Sequence, residues 1–116
     1  MNPDCLFCKI AAKQIPAKIV YEDERALAFR DINPQAPTHV LVIPRVHVAT
    51  IDDVQPAHEA DLGHLYSVAA KIAAQVGLGN GYRTVMNCGA HAGQTVLHLH
   101  LHLLGGRPMG WPPFPR

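Results

Sequence analysis

The stretch Thr95–Arg107, TVLHLHLHLLGGR, places three histidines on alternate positions with leucines between them. Side chains alternate between the two faces of a β-strand, so the pattern predicts a strand with His98, His100 and His102 on one face. The leucines between and beside them, Leu97, Leu99, Leu101 and Leu103, are expected on the opposite face. At about 3.3 Å per residue the outer histidines would lie roughly 13 Å apart, too far for all three to bind one metal ion. The row is therefore expected to divide its histidines between different tasks.

The remaining chain predicts further strands and one long helix to cover the leucine face. The segment PAHEADLGHLYSVAAKIAAQVG, residues 56–77, has apolar residues at three- and four-residue steps, namely Leu62, Leu65, Tyr66, Ala69, Ile72, Ala73 and Val76. Pro56 suits its first turn, and Gly77 can supply a left-handed end. The runs KIVYED, ALAFRD, THVLVIP and YRTVMN predict four more strands, and a short helix is expected over residues 6–12. This predicts an α+β fold with a five-stranded antiparallel sheet, as one domain over residues 1–116.

Composition narrows the class of protein. Ten Lys and Arg residues nearly cancel nine Asp and Glu residues, so a broad basic face for nucleic acid is not expected, and a small ligand is favoured. No stretch resembles a signal peptide or reaches the roughly 20 apolar residues that span a bilayer, which predicts a cytoplasmic protein without a membrane partner. Three cysteines are too few for a disulfide scaffold and suit burial or a metal site.

Three interpretations of the histidine row remain open from the residues alone. The histidines could be solvent-facing residues of a half-exposed strand, or two of them could bind zinc and leave the third unexplained. Alternatively, a neutral imidazole could attack phosphorus while its neighbour donates a proton to the leaving group. The segment NCGAHAGQT, residues 87–95, lies directly upstream and offers small residues and polar side chains that could surround phosphate oxygens.

The segment HLHLHLL matches the His-φ-His-φ-His-φ-φ pattern, with φ an apolar residue, of the histidine triad family. Most of the chain resembles the Hint branch of that family, the purine nucleoside phosphoramidases, through residues 15–47 and 87–113. The resemblance implies a homodimer whose two sheets join into one of ten strands. It also implies hydrolysis of the P–N bond of a purine nucleoside 5′-phosphoramidate, with no cofactor required for catalysis.

The resemblance also implies roles for individual residues. His100 would be the nucleophile, His102 and Thr95 would assist at the leaving group, and His39 would orient the nucleophile through a hydrogen bond. Asp31 would bind the ribose hydroxyls, although an Asp before INP could equally be a turn-forming residue. The remaining nucleotide contacts would be an apolar wall around the base, Phe7, Ile10, Phe29 and Ile32, and phosphate contacts at Asn87, Gly93 and Gln94.

The Cys-x-x-Cys motif CLFC is half of a tetrahedral zinc site, although two cysteines one helical turn apart can also be buried thiols. Many relatives in the family carry zinc on two such cysteines and two histidines. By position these are Cys5, Cys8, His47 and His98 here. Such a zinc would be structural, because four protein ligands leave no open position.

Departures from the branch pattern bear on specificity. Thr95 stands where serine is usual, Leu97 replaces a frequent tyrosine, and the tail of residues 111–116 is slightly longer and is expected near the partner's active site. Three rival functions remain: a dinucleoside polyphosphate hydrolase of the Fhit type, a nucleotide-binding interaction protein with incidental activity, and a zinc-dependent structural module.

Overall fold

The computed structural model describes residues 2–113. Its elements, in chain order, are α1 (Leu6–Ala11), β1 (Ile19–Glu22), β2 (Ala26–Arg30), β3 (Thr38–Pro44), α2 (Glu59–Gln75), β4 (Tyr82–Val85) and β5 (Leu101–Gly105). Short 3₁₀ turns precede α2 and follow β4. The predicted five strands, one long helix and one short helix are all present, which confirms the α+β class.

The strands form one antiparallel sheet in the order β1-β2-β3-β5-β4. β3 therefore lies at the centre, with β5 beside it, and β1 and β4 are the edges. The register pairs Leu41 of β3 with His102 of β5, and His39 with Leu104. Because alternate residues share a face, His39, Leu41 and His102 all point to the same side of the sheet.

The two faces of the sheet carry separate apolar clusters. On one face Leu65, Val68 and Ile72 of α2 pack against Leu101 and Leu103 of β5. On the other face the apolar residues of α1 pack against Phe29, Leu41 and Ile43. The predicted division of the row between leucines under the long helix and histidines on the opposite face therefore holds for β5.

The predicted extent of the histidine strand and part of the predicted apolar face of the long helix were wrong. β5 begins only at Leu101, so His98 and His100 precede the strand, and Leu97 is 60% exposed instead of lying beneath the helix. The main-chain N–H of Leu99 donates to the carbonyl of Val48 (2.8 Å), which holds this segment to the chain after β3 and out of the sheet ladder. Tyr66 in α2 and Val76 just after it are exposed, while Gly77 does adopt the expected left-handed conformation beyond the helix.

A polar network joins the β1–β2 hairpin to α2. The Asp23 carboxylate accepts hydrogen bonds from the Tyr21 hydroxyl (2.7 Å), from the His64 imidazole (2.6 Å) and from the main-chain N–H groups of Arg25 and Ala26. Burial alone would raise the pKa of Asp23, but these four donors outweigh it and hold the pKa well below its usual range.

No helix within residues 2–113 has the length and apolarity needed to cross a membrane.

Candidate active site

A cleft of about 360 Å³ opens on the α1 side of the sheet. Eight of the residues predicted to act on a nucleotide line it: Phe7, Ile10, Phe29, Asp31, Ile32, Thr95, His100 and His102. Its volume lies within the range of small-molecule sites. The cleft thus combines an apolar wall with convergent polar groups at one end.

His100 is held with one ring nitrogen free for attack. Its Nδ1 lies 2.8 Å from the main-chain carbonyl oxygen of His98. A carbonyl can only accept a hydrogen bond, so Nδ1 carries the hydrogen and Nε2 of the neutral ring keeps its lone pair. The Phe7 ring packs edge-on against this imidazole with centroids 5.1 Å apart, which fixes its plane.

His102 is held in the opposite tautomer. The main-chain N–H of Gln35 donates to Nδ1 of His39 (3.0 Å), so the hydrogen of His39 is on Nε2, 2.8 Å from Nδ1 of His102. His102 therefore accepts at Nδ1 and carries its hydrogen on Nε2. That Nε2 is buried and has no hydrogen-bond partner among residues 2–113, which leaves a donor for a ligand.

The His100 and His102 rings have centroids 5.0 Å apart. Burial, with the nearby His100 and His39, lowers the pKa of His102 to about 4, while Asp31 opposes the shift. His102 is thus neutral near pH 7 and presents an N–H bond beside the unprotonated nitrogen of His100. A nucleophile and a proton donor of one residue type therefore meet in one cleft.

The role predicted for His39 needs correction. Its hydrogen bond goes to His102, while the nucleophile candidate His100 is oriented by the His98 carbonyl. The reason is register: His39 is a diagonal neighbour of His102 across β3 and β5, but His100 lies before the strand. Burial lowers the pKa of His39 and Asp31 opposes that shift, which favours the neutral ring that this bond requires.

Asp31 fits both of its alternative interpretations. Its Oδ1 accepts a hydrogen bond from the main-chain N–H of Asn33 (2.8 Å), as a turn-forming residue does. Its Oδ2 lies 3.4 Å from Nε2 of His39, and the residue lines the cleft. The turn therefore positions a half-buried carboxylate at the cleft wall.

The predicted base wall divides into buried and exposed parts. Phe7 and Phe29 are both 4% exposed and pack edge-on with centroids 5.4 Å apart, whereas Ile32 is fully exposed at the rim. The exposed Ile32 side chain gives the cleft an apolar surface against which a flat ligand can pack.

The glycine-rich loop before the triad is only partly available to a ligand. The side chain of Gln94 accepts from the Gly89 N–H and donates to the carbonyls of Ala49 and Val96. The main-chain N–H groups of Gly93 and Gln94 are also engaged, with the carbonyls of Ala90 and Gly89. Gln94 thus stabilises the conformation of the loop through these hydrogen bonds. Gly93 and Gln94, which were expected to contact phosphate, do not line the cleft. Asn87 is half-buried and outside that lining, while Thr95 is exposed within it.

Cys5, Cys8, His47 and His98 form a second cluster, whose ligand atoms all lie within 4.8 Å of one another. Nδ1 of His98 is 3.2 Å from Nδ1 of His47, 3.3 Å from Cys5 Sγ and 3.5 Å from Cys8 Sγ. Tetrahedral zinc bonds near 2.05 Å to nitrogen and 2.3 Å to sulfur imply edges of about 3.3 Å between nitrogens and 3.5 Å between nitrogen and sulfur.

The tautomer of His98 also fits a metal. Its Nε2 donates to the Pro44 carbonyl (2.8 Å), so Nδ1 keeps the lone pair that faces the cysteines. Burial, chiefly, lowers the pKa of His98 to about 4, so the ring is neutral. Burial and the adjacent Cys5 raise the pKa of the Cys8 thiol, so metal binding has to displace its proton.

Comparison with known proteins identifies the family of the chain. The HIT domain model matches residues 12–109, which is most of the chain. The chain belongs to the HIT family. It is 52% identical over 111 residues to the purine nucleoside phosphoramidase of Escherichia coli, covering 95% of this chain and 93% of that protein. It is also 56% identical to an uncharacterised HIT-like protein of Synechococcus elongatus, covering 97% and 99% of the two chains.

The solved structure of a HIT family hydrolase from Legionella pneumophila superposes with a TM-score of 0.93 at 54% identity, covering 96% of this chain and all of that one. The family, its Hint branch and the hydrolase class that the sequence predicted are thereby confirmed.

The cleft has further lining residues that the sequence did not predict. Ile15, Pro16 and Ala17, between α1 and β1, line it, as do Arg30 and Val96. Nothing in their spacing distinguishes them from ordinary connecting residues.

Proposed function

We propose that this HIT hydrolase is a purine nucleoside phosphoramidase that acts through a nucleotidyl-histidine intermediate. The observation that carries the proposal is the pair of opposite tautomers in one cleft, an unprotonated Nε2 on His100 beside a protonated, unpartnered Nε2 on His102. The 52% identity to a phosphoramidase supports the same reaction class.

In the proposed first step, the lone pair on Nε2 of His100 attacks the α-phosphorus, and the P–N bond of the substrate breaks as the new one forms. The amine leaves with a proton supplied through His102 or Thr95. Phosphorylated His100 has a positively charged ring, and the His98 carbonyl that accepts its Nδ1–H stabilises that charge. Water then attacks phosphorus, the His100–P bond breaks, and the nucleoside monophosphate is released.

The cleft suggests how the nucleotide binds. The purine lies against Phe7, Ile10, Phe29 and the exposed Ile32, and the Asp31 carboxylate accepts hydrogen bonds from the ribose hydroxyls. Phosphate reaches Thr95, His100 and His102, which line the cleft. No cofactor enters these steps.

Release of AMP from adenosine 5′-phosphoramidate tests the proposal. We expect turnover by the wild-type protein and a loss of at least about 10³-fold in His100→Ala, since no other imidazole offers a free Nε2 at that point. Diadenosine polyphosphate, assayed in parallel, tests the Fhit-type alternative. A folded wild-type protein that binds AMP but cleaves neither compound would favour the interaction protein instead.

We propose that the four-residue cluster binds one structural zinc ion per chain. The donor set and its spacing support this, and the ion would hold α1 to the segments that carry His47 and His98. Elemental analysis of protein purified without added metal should find close to one equivalent of zinc. A value far below one would contradict the proposal.

We further propose a cytoplasmic homodimer, formed by the whole chain as one domain, whose sheets join edge to edge. β4 is an edge strand with Tyr82 42% exposed, and such edges are commonly covered by a partner. In the tail, Trp111 lies against the guanidinium of Arg83, which also donates to the Gly110 carbonyl (2.6 Å). Residues 114–116 lie outside the described residues. Sedimentation at low micromolar concentration should give a dimer mass, and a monomer would contradict it.

A further inference from the structure

His98 connects the metal-ligand cluster to the catalytic residues through three separate groups. Its Nδ1 faces Cys5, Cys8 and His47, and its Nε2 donates to the Pro44 carbonyl. Its main-chain carbonyl accepts the hydrogen bond from Nδ1 of His100 that leaves the nucleophilic nitrogen free. One fully buried residue therefore belongs to both sites.

Residues 44–48, which include the metal ligand His47, form hydrogen bonds on both sides of the His98–Leu99 peptide. The carbonyl of Pro44 accepts from the His98 ring, and the carbonyl of Val48 accepts from the N–H of Leu99. His47 lies between those two carbonyls in the sequence. An ion bound by both His47 and His98 would fix residues 44–48 relative to residues 98–99. The position of the His98 carbonyl would then depend on the bound ion.

The cluster is also open to solvent on one side. A groove of about 650 Å³ is lined by Asp4, Cys5, His47 and Leu97, and it shares Thr95 and Val96 with the nucleotide cleft. Leu97 is 60% exposed and His47 is half-buried. An ion therefore has an entry path that does not require unfolding, so its occupancy can change in the native protein.

Resting on the proposed phosphoramidase and its metal site, we infer that a thiophilic divalent ion bound by Cys5, Cys8, His47 and His98 positions the nucleophile His100 and thereby controls its rate of phosphorylation. The ion takes no part in the chemistry. With the site empty, the two imidazole nitrogens and two sulfurs lose their common partner, the His98 peptide loses one of its restraints, and the His100 ring spends less time in the reactive tautomer and orientation.

The test compares zinc-loaded and chelator-treated wild-type protein with three variants. His47→Ala removes a half-buried ligand without altering any residue of α1 or of the triad. His47→Cys keeps a donor set of four ligands, and Cys88→Ser is the matched control for a thiol outside the cluster. Metal content, kcat and KM for adenosine 5′-phosphoramidate, and the ¹H–¹⁵N signal of the His100 Nδ1–H group are measured on each. Circular dichroism identifies the samples that remain folded.

We expect loss of zinc to lower kcat by about 10- to 100-fold, the range for support residues around a site, with KM changed less than about twofold. The His100 Nδ1–H signal should broaden or exchange faster at the same time. His47→Cys should retain both the metal and the signal, His47→Ala should lose both, and Cys88→Ser should match the wild-type protein.

Several results would overturn the inference. Equal kcat and an unchanged His100 signal in folded metal-free and loaded protein would make the ion purely structural, as would unfolding of every metal-free form. Failure to bind zinc would remove the site itself. If no form turns over while the His100 signal still follows metal content, the proposed function fails and the positioning role stands.

Discussion

At the scale of single residues, the site depends on which nitrogen of each histidine carries its hydrogen. Three imidazoles of one chemical type have different roles because their partners differ: a carbonyl for His100, the His39 ring for His102, and a carbonyl together with two thiols for His98. Each partner fixes one tautomer, and the tautomer decides whether the free nitrogen attacks, donates or binds metal.

The His39–His102 bond gives a prediction at this scale. His39→Ala removes the donor to Nδ1 of His102, so His102 is no longer restricted to the tautomer with its hydrogen on Nε2. We expect kcat to fall by about 10- to 100-fold with little change in KM, because the bond positions a catalytic group and contacts no substrate.

His39→Gln is the matched variant, since its amide can still donate to His102 and fills most of the buried volume. It should recover part of the lost kcat. Equal losses in the two variants at comparable thermal stability would indicate that His39 acts by filling space. The readout is steady-state kinetics with adenosine 5′-phosphoramidate, supported by thermal unfolding of each variant.

At the scale of elements, α1 carries much of both sites within six residues. It presents Phe7 and Ile10 to the cleft, and Cys5 at its N-cap and Cys8 within it to the metal cluster. After the helix and its C-cap Ala12 comes Lys13, a non-glycine residue with φ of 61°, and the N–H of Gln14 donates to the Lys9 carbonyl (2.9 Å). Left-handed backbone of this kind ordinarily favours glycine.

Lys13→Gly should therefore stabilise the protein. Relief of the left-handed conformation is worth about 1 kcal/mol, and the lost ion pair with Glu22, which is exposed, is worth less. Lys13→Ala loses the same ion pair but keeps the strained conformation, so it should be less stable than Lys13→Gly by about 1 kcal/mol. Urea unfolding of the three proteins measures these differences, and equal stability of the two variants would contradict the argument.

At the scale of the whole molecule, burying neutral histidines makes stability depend on pH. The pKa of His102 is about 4 in the fold, lowered chiefly by burial and by the facing His100 and His39. It returns to about 6.5 when the chain unfolds. Between these values the unfolded chain binds a proton that the folded chain does not, so stability falls as pH falls through this window.

We expect the free energy of unfolding to fall by about 2 kcal/mol from His102 alone between pH 7 and pH 4.5, after allowance for its partial exposure. Well below pH 4 this residue contributes no further loss, because both states are then protonated. Urea unfolding at several pH values measures the slope. His102→Gln should have a shallower slope than the wild-type protein over the same range, and parallel slopes would refute the assignment.

The sequence by itself predicted the sheet, the long helix with its glycine end, the leucine face of β5, the family, the four residues of the metal cluster and eight residues of the cleft, because alternation, periodicity and residue type are local properties. Only the tertiary structure decided that the histidine row bends before Leu101, that His39 supports His102, and that Gln94 braces its own loop. Each of these depends on hydrogen bonds between separate segments. Strand register and main-chain carbonyls such as those of Pro44 and Val48 set those bonds, and side-chain identity carries no signal of either.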